Sequence, residues 1–534
     1  MQSNTNTINQ NHSRYTNNLS INLDHSHPSD NENENDYSTG SSRRPRSNFD
    51  SIPIFYQVGK TSARSTHRCI VEDQLATRLP EIEAFFKPFP QGVPVEKFVH
   101  ITKRLCGIPS FFNLPLCKRL NQHFNTEDSM TSTGTILSSS SSSTSSASKT
   151  KLNVTLPSST SNNFLTDTHG TQIKIKLNTF LNFWKQEIEP YDRYERFFRI
   201  IKQVEVEYIN KDDFVPFLQE LLHFHPGLDF LDSHEEFQRK YALTVVARIF
   251  FKVNTSRTGR ITLRELRHSN LQDEFMHVDE ETDINKVTEY FSYEHFYVLY
   301  CRFFELDSDK DSKLNRDDLL KYSEHALSDA IIDRVFQVGV RAFSGYTSGE
   351  GSLRKTGMTY ADFVYFMLAE EDKTSVSSLS YWFACVDLDG DGRLTPEEMR
   401  FFYRSQLHRL TSLGQEAVKF NDVLCQMIDM IGPEMELGIT LSDMCRPERI
   451  HMSGLLFDVL FNLHKFIRFE TRDPFQEKAK RDDIHGNDWN RFAYGEYHRL
   501  AAEEEVYEPN NTGMEVDSIE SKERERERDG SGDW

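Results

Sequence analysis

The chain has 534 residues, room for about two to four domains. Its formal net charge of −20 excludes nonspecific attraction to phosphate backbones or anionic surfaces, so nucleic acid is not an expected partner. No apolar stretch approaches a membrane span and the polar N-terminus has no secretory core, so a soluble intracellular protein is expected. Its seven cysteines (Cys69, Cys106, Cys117, Cys301, Cys385, Cys425, Cys445) are never in CxxC spacing, which fits reduced core thiols rather than a disulfide or zinc framework.

Residues 1–47 are dominated by Asn, Ser, Asp and Thr; they cannot bury enough apolar surface to offset ordering and are expected to form a disordered tail. Within it, Arg43, Arg44, Pro45 and Arg46 form a basic island, read as solvated charge. An N-terminal helical domain is expected over 48–240, interrupted by a disordered surface insertion at about 128–163 that contains the serine run Ser138 to Ser143. His223 and His225 in LLHFHPG have no third ligand in sight and read as helix-end histidines beside a Pro-Gly turn.

Two EF-hand regions should follow, at 241–345 and 346–507. An EF-hand calcium loop draws oxygen from positions one, three, five, seven and twelve, turns sharply at a glycine at six, and pairs with a second loop through an apolar residue at eight. Asn254 to Glu265 (NTSRTGRITLRE) keeps Gly259, Ile261, Thr262 and Glu265 but lacks the three carboxylates, so it should fold as an EF-hand without holding calcium tightly. Asp307 to Asp318 (DSDKDSKLNRDD) has Asp307, Asp309, Asp311, the Lys313 carbonyl at seven and Leu314 at eight. Ser312 replaces the glycine, where a positive dihedral is costly, and the shorter Asp318 replaces the closing Glu, so weaker binding is expected. Its entering helix shows Phe296, Leu299, Tyr300, Phe303 and Phe304 on one apolar face.

Asp387 to Glu398 (DLDGDGRLTPEE) is the complete loop. It has Asp387, Asp389, Asp391, Gly392, the Arg393 carbonyl, Leu394 and a Glu398 able to bind through both oxygens. The strings GMTYAD (Gly357 to Asp362) and GITLSD (Gly438 to Asp443) look like the second halves of degenerate loops, which the pairing of EF-hands requires beside the two active ones. The cofactor expected is Ca2+, with the 387–398 loop the stronger. Residues 508–534 end in KERERERD, solvated charge in a disordered tail. With aromatics at helical spacing and few alternating strands, the class expected is all-α. No HExxH, P-loop, nucleophile elbow or kinase signature appears, so no enzyme chemistry is nominated.

The segments outside the loops carry a resemblance. IPIFY (52–56), FVPFLQELLHFHPGLDFL (214–231), RIFFKVNTSRTGRITLRELRHSN (248–270), YFSYEHFYVLYCRFFELD (290–307), MTYADFVYFMLAEEDK (358–373), YWFACVDLDGDG (381–392), FNLHKFIRFETRDPF (461–475) and DWNRFAYGEYHRLAAEE (488–504) closely resemble the B-double-prime regulatory subunits of protein phosphatase 2A. The resemblance implies an elongated array of EF-hand and EF-hand-like units. It also implies docking on a HEAT-repeat scaffold subunit and a catalytic subunit, with calcium-responsive selection of phosphoprotein substrates or location. It matches Asp307, Asp309, Asp311 and Asp318, with Asp387, Asp389, Asp391 and Glu398, to the family's two calcium loops. A cytoplasmic protein is expected, with a nuclear or cytoskeleton-associated pool left open; the alternative is a free-standing calcium sensor acting on another partner.

Overall fold

The computed structural model describes residues 78–124, 173–339, 357–415, 418–434, 438–471 and 484–507. The tails 1–47 and 508–534, the serine insertion at 128–163, the basic island at Arg43 to Arg46, the IPIFY segment and Cys69 lie outside them. The other six cysteines are free.

Among the described residues helices dominate, and extended structure is confined to two-residue strands and single bridges; apart from a bridge between Leu327 and Asn462, these have one job. β1 (Val93–Pro94) pairs antiparallel with β2 (Lys174–Ile175), and β3 (Arg393–Leu394) with β4 (Ile439–Thr440). Isolated antiparallel bridges join Ile209 to Ile261 and Leu314 to Met358. In all four places two buried apolar residues face each other across the contact: Val93 with Ile175, Ile209 with Ile261, Leu314 with Met358, Leu394 with Ile439. This is the position-eight contact of an EF-hand pair, so the described residues hold four contacts of this kind, and the all-α class stands.

The helices follow from the same grammar. α1 (Arg193–Ile201) and α2 (Val215–Phe224) flank residues 202–213; α3 (Glu235–Val253) and α4 (Leu263–Arg267) flank 254–265. α5 (Tyr293–Leu306) and α6 (Arg316–Leu320) flank 307–318, and α7 (Asp329–Gln337) follows. α8 (Tyr360–Glu371) leaves the tail Gly357 to Asp362, and α9 (Val376–Val386) and α10 (Pro396–Ser412) flank 387–398. α11 (Asp488–Tyr507) ends the described chain. Exit helices start on a capping box in which position nine accepts from the amide of position twelve while the position-twelve carboxylate reaches back. Thr262 with Glu265, Asn315 with Asp318, Thr359 with Asp362, Thr395 with Glu398 and Thr440 with Asp443 all do this.

Two apolar cores result, one built from residues between Ile82 and Phe296, the other from residues between Ala247 and Ala493. α3 serves both: Tyr241, Val245, Ile249 and Phe250 enter the first, Ala247 and Phe251 the second. Aromatic rings fill the first core. Phe112 and Phe217 lie 4.2 Å apart, and Phe275 meets Phe112, Phe197 and Phe291 edge-on; contacts of this kind contribute about 0.5–1.5 kcal/mol each beyond area burial.

Candidate metal centres

The two acidic loops bring together the triads their spacing implies. Carboxylate oxygens of Asp387, Asp389 and Asp391 lie within 4.8 Å of one another, and so do those of Asp307, Asp309 and Asp311. In each triad the first Asp is buried where the entering helix ends and the other two are exposed.

Backbone amides aim these oxygens inward. Asp387 accepts from the amides of Gly390 and Gly392 at 2.7 and 3.0 Å, and Asp391 accepts from that of Arg393 at 2.7 Å. In the other loop Asp307 accepts from Ser312 at 3.0 Å and Asp311 from Lys313 at 2.8 Å. Positions four and six take a left-handed backbone in both. Gly390 and Gly392 do so at φ +76° and +81°, but Lys310 and Ser312 are held at +58° and +62°, where a Cβ is penalised.

Burial pushes the Asp387 carboxyl above its ordinary range, with Glu398 and Asp389 adding like charge against the Gly392 and Gly390 amides. Burial does the same at Asp307, joined by Asp309 and Asp311. Asp307 Oδ1 is moreover buried with no hydrogen-bond donor. Crowded, electron-rich oxygens of this kind are what a hard divalent cation satisfies, so both donor sets fit Ca2+.

The closing acids stand outside the triads. Glu398 is buried and accepts from the Leu388 amide at 2.7 Å and from the amide and hydroxyl of Thr395, each at 2.9 Å. Thr395 at position nine thus serves as a helix cap. Asp318 accepts from the Asn315 amide at 3.1 Å and also faces Lys321, whose Nζ lies 3.3 Å from Asp318 Oδ1 and donates to Ser308 at 2.7 Å. The complete loop has Phe401 at the position of Lys321.

The silent tails pair as their pattern implies, and each glycine has a steric reason. A Cβ on Gly357 would stand 2.8 Å from the Leu314 carbonyl oxygen, and one on Gly438, at φ +143°, 3.0 Å from that of Leu394. The partner loop's backbone passes where a side chain would be.

α9, which delivers Asp387, is gripped from two sides. Arg334 on α7 donates to the carbonyls of Cys385 and Asp387, both at 2.8 Å. Arg257, from the 254–265 loop, donates to the Ser380 carbonyl at 2.9 Å. Arg316, at position ten of the weaker loop and the first residue of α6, bonds Asp333, the neighbour of Arg334 on α7, at 2.6 Å.

Sequence reading missed the Val93–Ile175 contact and the loop at residues 202–213. Its surviving signals are Ile209, Asn210 and Asp213 at positions eight, nine and twelve; Asn210 and Asp213 form a capping box. His225 is structural: its Nδ1 accepts from the Gly227 amide at 3.1 Å and Nε2 faces the Glu281 carbonyl at 3.0 Å, while burial holds its pKa down.

Residues 192–281 match the EF-hand domain family and residues 296–404 match the EF-hand domain pair. The chain is 41% identical over 445 residues to a probable serine/threonine protein phosphatase 2A regulatory protein of Arabidopsis thaliana, its B''delta subunit, spanning 83% of this chain and 72% of that protein. It is 40% identical over 467 residues to the B''epsilon subunit of the same plant, spanning 87% and 76%. Against the human beta form of the B'' regulatory subunit it is 41% identical over 348 residues, 64% of this chain and 59% of that one. A solved chain of a PP2A PR70 holoenzyme is 42% identical, with TM-score 0.47, covering 52% of this chain and 98% of that chain.

Proposed function

Because the chain belongs to the B-double-prime family of protein phosphatase 2A regulatory subunits, we propose that it is a calcium-binding subunit that docks on the phosphatase scaffold and catalytic subunits and directs their choice of phosphoprotein substrates or location. The chain is a regulatory subunit, not the enzyme: its relatives are named as such over most of their length. The observation that carries the calcium-responsive part is the pair of converging aspartate triads, each at the mouth of an entering helix.

Asp387, Asp389, Asp391, the Arg393 carbonyl and Glu398 would hold one ion, and Asp307, Asp309, Asp311, the Lys313 carbonyl and Asp318 a second. Bound calcium supplies the divalent charge that cancels the crowded carboxylates. The 387–398 loop should bind in the sensor range of roughly 10⁻⁷ to 10⁻⁵ M, the 307–318 loop more weakly. The strained Lys310 and Ser312, the short Asp318 and the Lys321 ammonium support that order. Through Arg334, any reorientation of α9 reaches α7, while Arg257 ties α9 to the 254–265 loop, which suits a subunit whose docking surface answers to calcium. Among the described residues no helix is long and apolar enough to cross a membrane. The proposed site of action is the cytoplasm, to be checked by cell fractionation.

Affinity capture of the full chain from its own cell extract, with calcium and with chelator, tests the reading. Stoichiometric scaffold and catalytic subunits are expected, while the purified chain alone should not hydrolyse a phosphopeptide above background. Their absence under both conditions would instead support a free-standing sensor.

A further inference from the structure

The loops at 202–213 and 254–265 are EF-hands by pairing and by capping, yet their residues do not fit calcium. At 254–265 the hydroxyls of Ser256 and Thr258 stand at three and five, and Glu265 is the one carboxylate. The centre of the loop is filled by its own atom. Asn254 is fully buried, and the two hydrogens on its Nδ2 are shared among Ser256 Oγ at 3.0 Å, the Arg260 carbonyl at 2.9 Å, Glu265 Oε1 at 3.0 Å and Thr258 Oγ1 at 3.5 Å. These oxygens come from positions three, seven, twelve and five, the positions that ligate a cation.

The other end of the amide does the work of the missing aspartate. Asn254 Oδ1 accepts from the Gly259 amide at 2.8 Å, the bond that Asp387 takes from Gly392 and Asp307 from Ser312. Flipping the amide would set two donors against each other at Gly259, so the network fixes its orientation.

The partner loop uses the same device with a charge. Lys202, at its position one, is buried, and its Nζ donates to the Val206 carbonyl at 2.7 Å, with those of Gln203 and Val204 at 3.3 and 3.4 Å and Glu207 at 3.7 Å. Ile209 and Ile261 then join the two loops by reciprocal backbone bonds at 2.9 and 3.0 Å.

We propose that this pair is a calcium-independent EF-hand pair, latched by the side-chain nitrogens of Asn254 and Lys202. It is a fixed frame against which the calcium loops act, and Arg257, at position four of the latched loop, extends it to α9. The consequence is that changes in calcium leave residues 202–265 unmoved while the 307–318 and 387–398 loops respond.

The test uses the full chain, with bound calcium counted by native mass spectrometry and thermal unfolding followed in calcium and in chelator. Asn254→Asp combined with Ser256→Asp and Thr258→Asp should take up one calcium more than the parent, whatever the parent's count. In chelator it should melt about 2–4 °C below the parent and recover with calcium. Asn254→Ala, which empties the centre without adding charge, should lower the melting temperature equally in both conditions. Glu265→Gln should leave the parent's ion count unchanged. A lost ion in Glu265→Gln, no gained ion in a folded triple variant, or an unchanged melting temperature in Asn254→Ala would each overturn the latch. Because the count is a difference from the parent, failure of the two acidic loops to bind would show in the parent itself.

Discussion

Replacing Lys321 with methionine should tighten calcium binding at the 307–318 loop. The Lys321 side chain is 48% exposed and its Nζ lies 3.3 Å from an Asp318 side chain that is only 5% exposed. For Asp318 to serve a cation, this contact must be given up. A half-exposed pair is worth about 0.2–1 kcal/mol, and with RT near 0.59 kcal/mol that is a gain of roughly 1.4- to 5-fold in affinity; removing the repulsion between ammonium and calcium acts in the same direction. The measurement is titration calorimetry of Lys321→Met in an Asp387→Ala background, which leaves one acidic loop to be read, with Lys321→Arg as the charge-preserving control. The gain should shrink as salt is raised, since screening already weakens the pair. Unchanged or weaker binding at low salt would refute the idea that Lys321 competes for Asp318.

Glu398→Gln should remove the tighter calcium phase and leave the weaker one, and Asp307→Ala should do the reverse, both read by calorimetry. Ser312→Gly should raise thermal stability in chelator by relieving about 1 kcal/mol of left-handed strain, less the entropy glycine brings; a lower melting temperature would contradict the strain argument. Lys373 is buried between Glu370 at 2.6 Å and Asp458 at 2.9 Å, beneath Trp382 and Phe461. Lys373→Met strands Asp458 in the core, while Glu370 keeps Lys465 at 3.0 Å and the Asn462 side-chain amide at 2.7 Å. The substitution should cost about 3–5 kcal/mol by denaturant unfolding. Burial pushes the Glu220 carboxyl up to about 7, with Lys118 opposing. The folded state therefore holds this proton more tightly than the unfolded one. The penalty is absent below the ordinary glutamate range, grows as pH rises toward 7 and is complete above it. Glu220→Gln should raise the melting temperature at pH 8 and not at pH 4, and an equal shift at both would contradict the burial argument.

The two acidic loops were legible because their carboxylates are close together in the chain. Twelve residues contain every donor, the turn and the cap, so Asp387 to Glu398 announces its chemistry without reference to the rest of the chain. The degenerate tails were legible for the same reason, since Gly357 and Gly438 with their capping boxes repeat a local rule. What the tertiary structure decided is everything that needs two distant segments at once. Only packing brings Val93 to Ile175 across the serine insertion, or Ile209 to Ile261. The loop at 202–213 escaped notice because Lys202, a residue that reads as disqualifying, becomes intelligible only when its ammonium is seen among the loop's own carbonyls. Asn254 likewise reads as a lost ligand in the sequence and as a substitute for the ion in the fold. Arg257 and Arg334 carry no signal at all in one dimension; their role comes from the helix carbonyls that close packing places within hydrogen-bond reach.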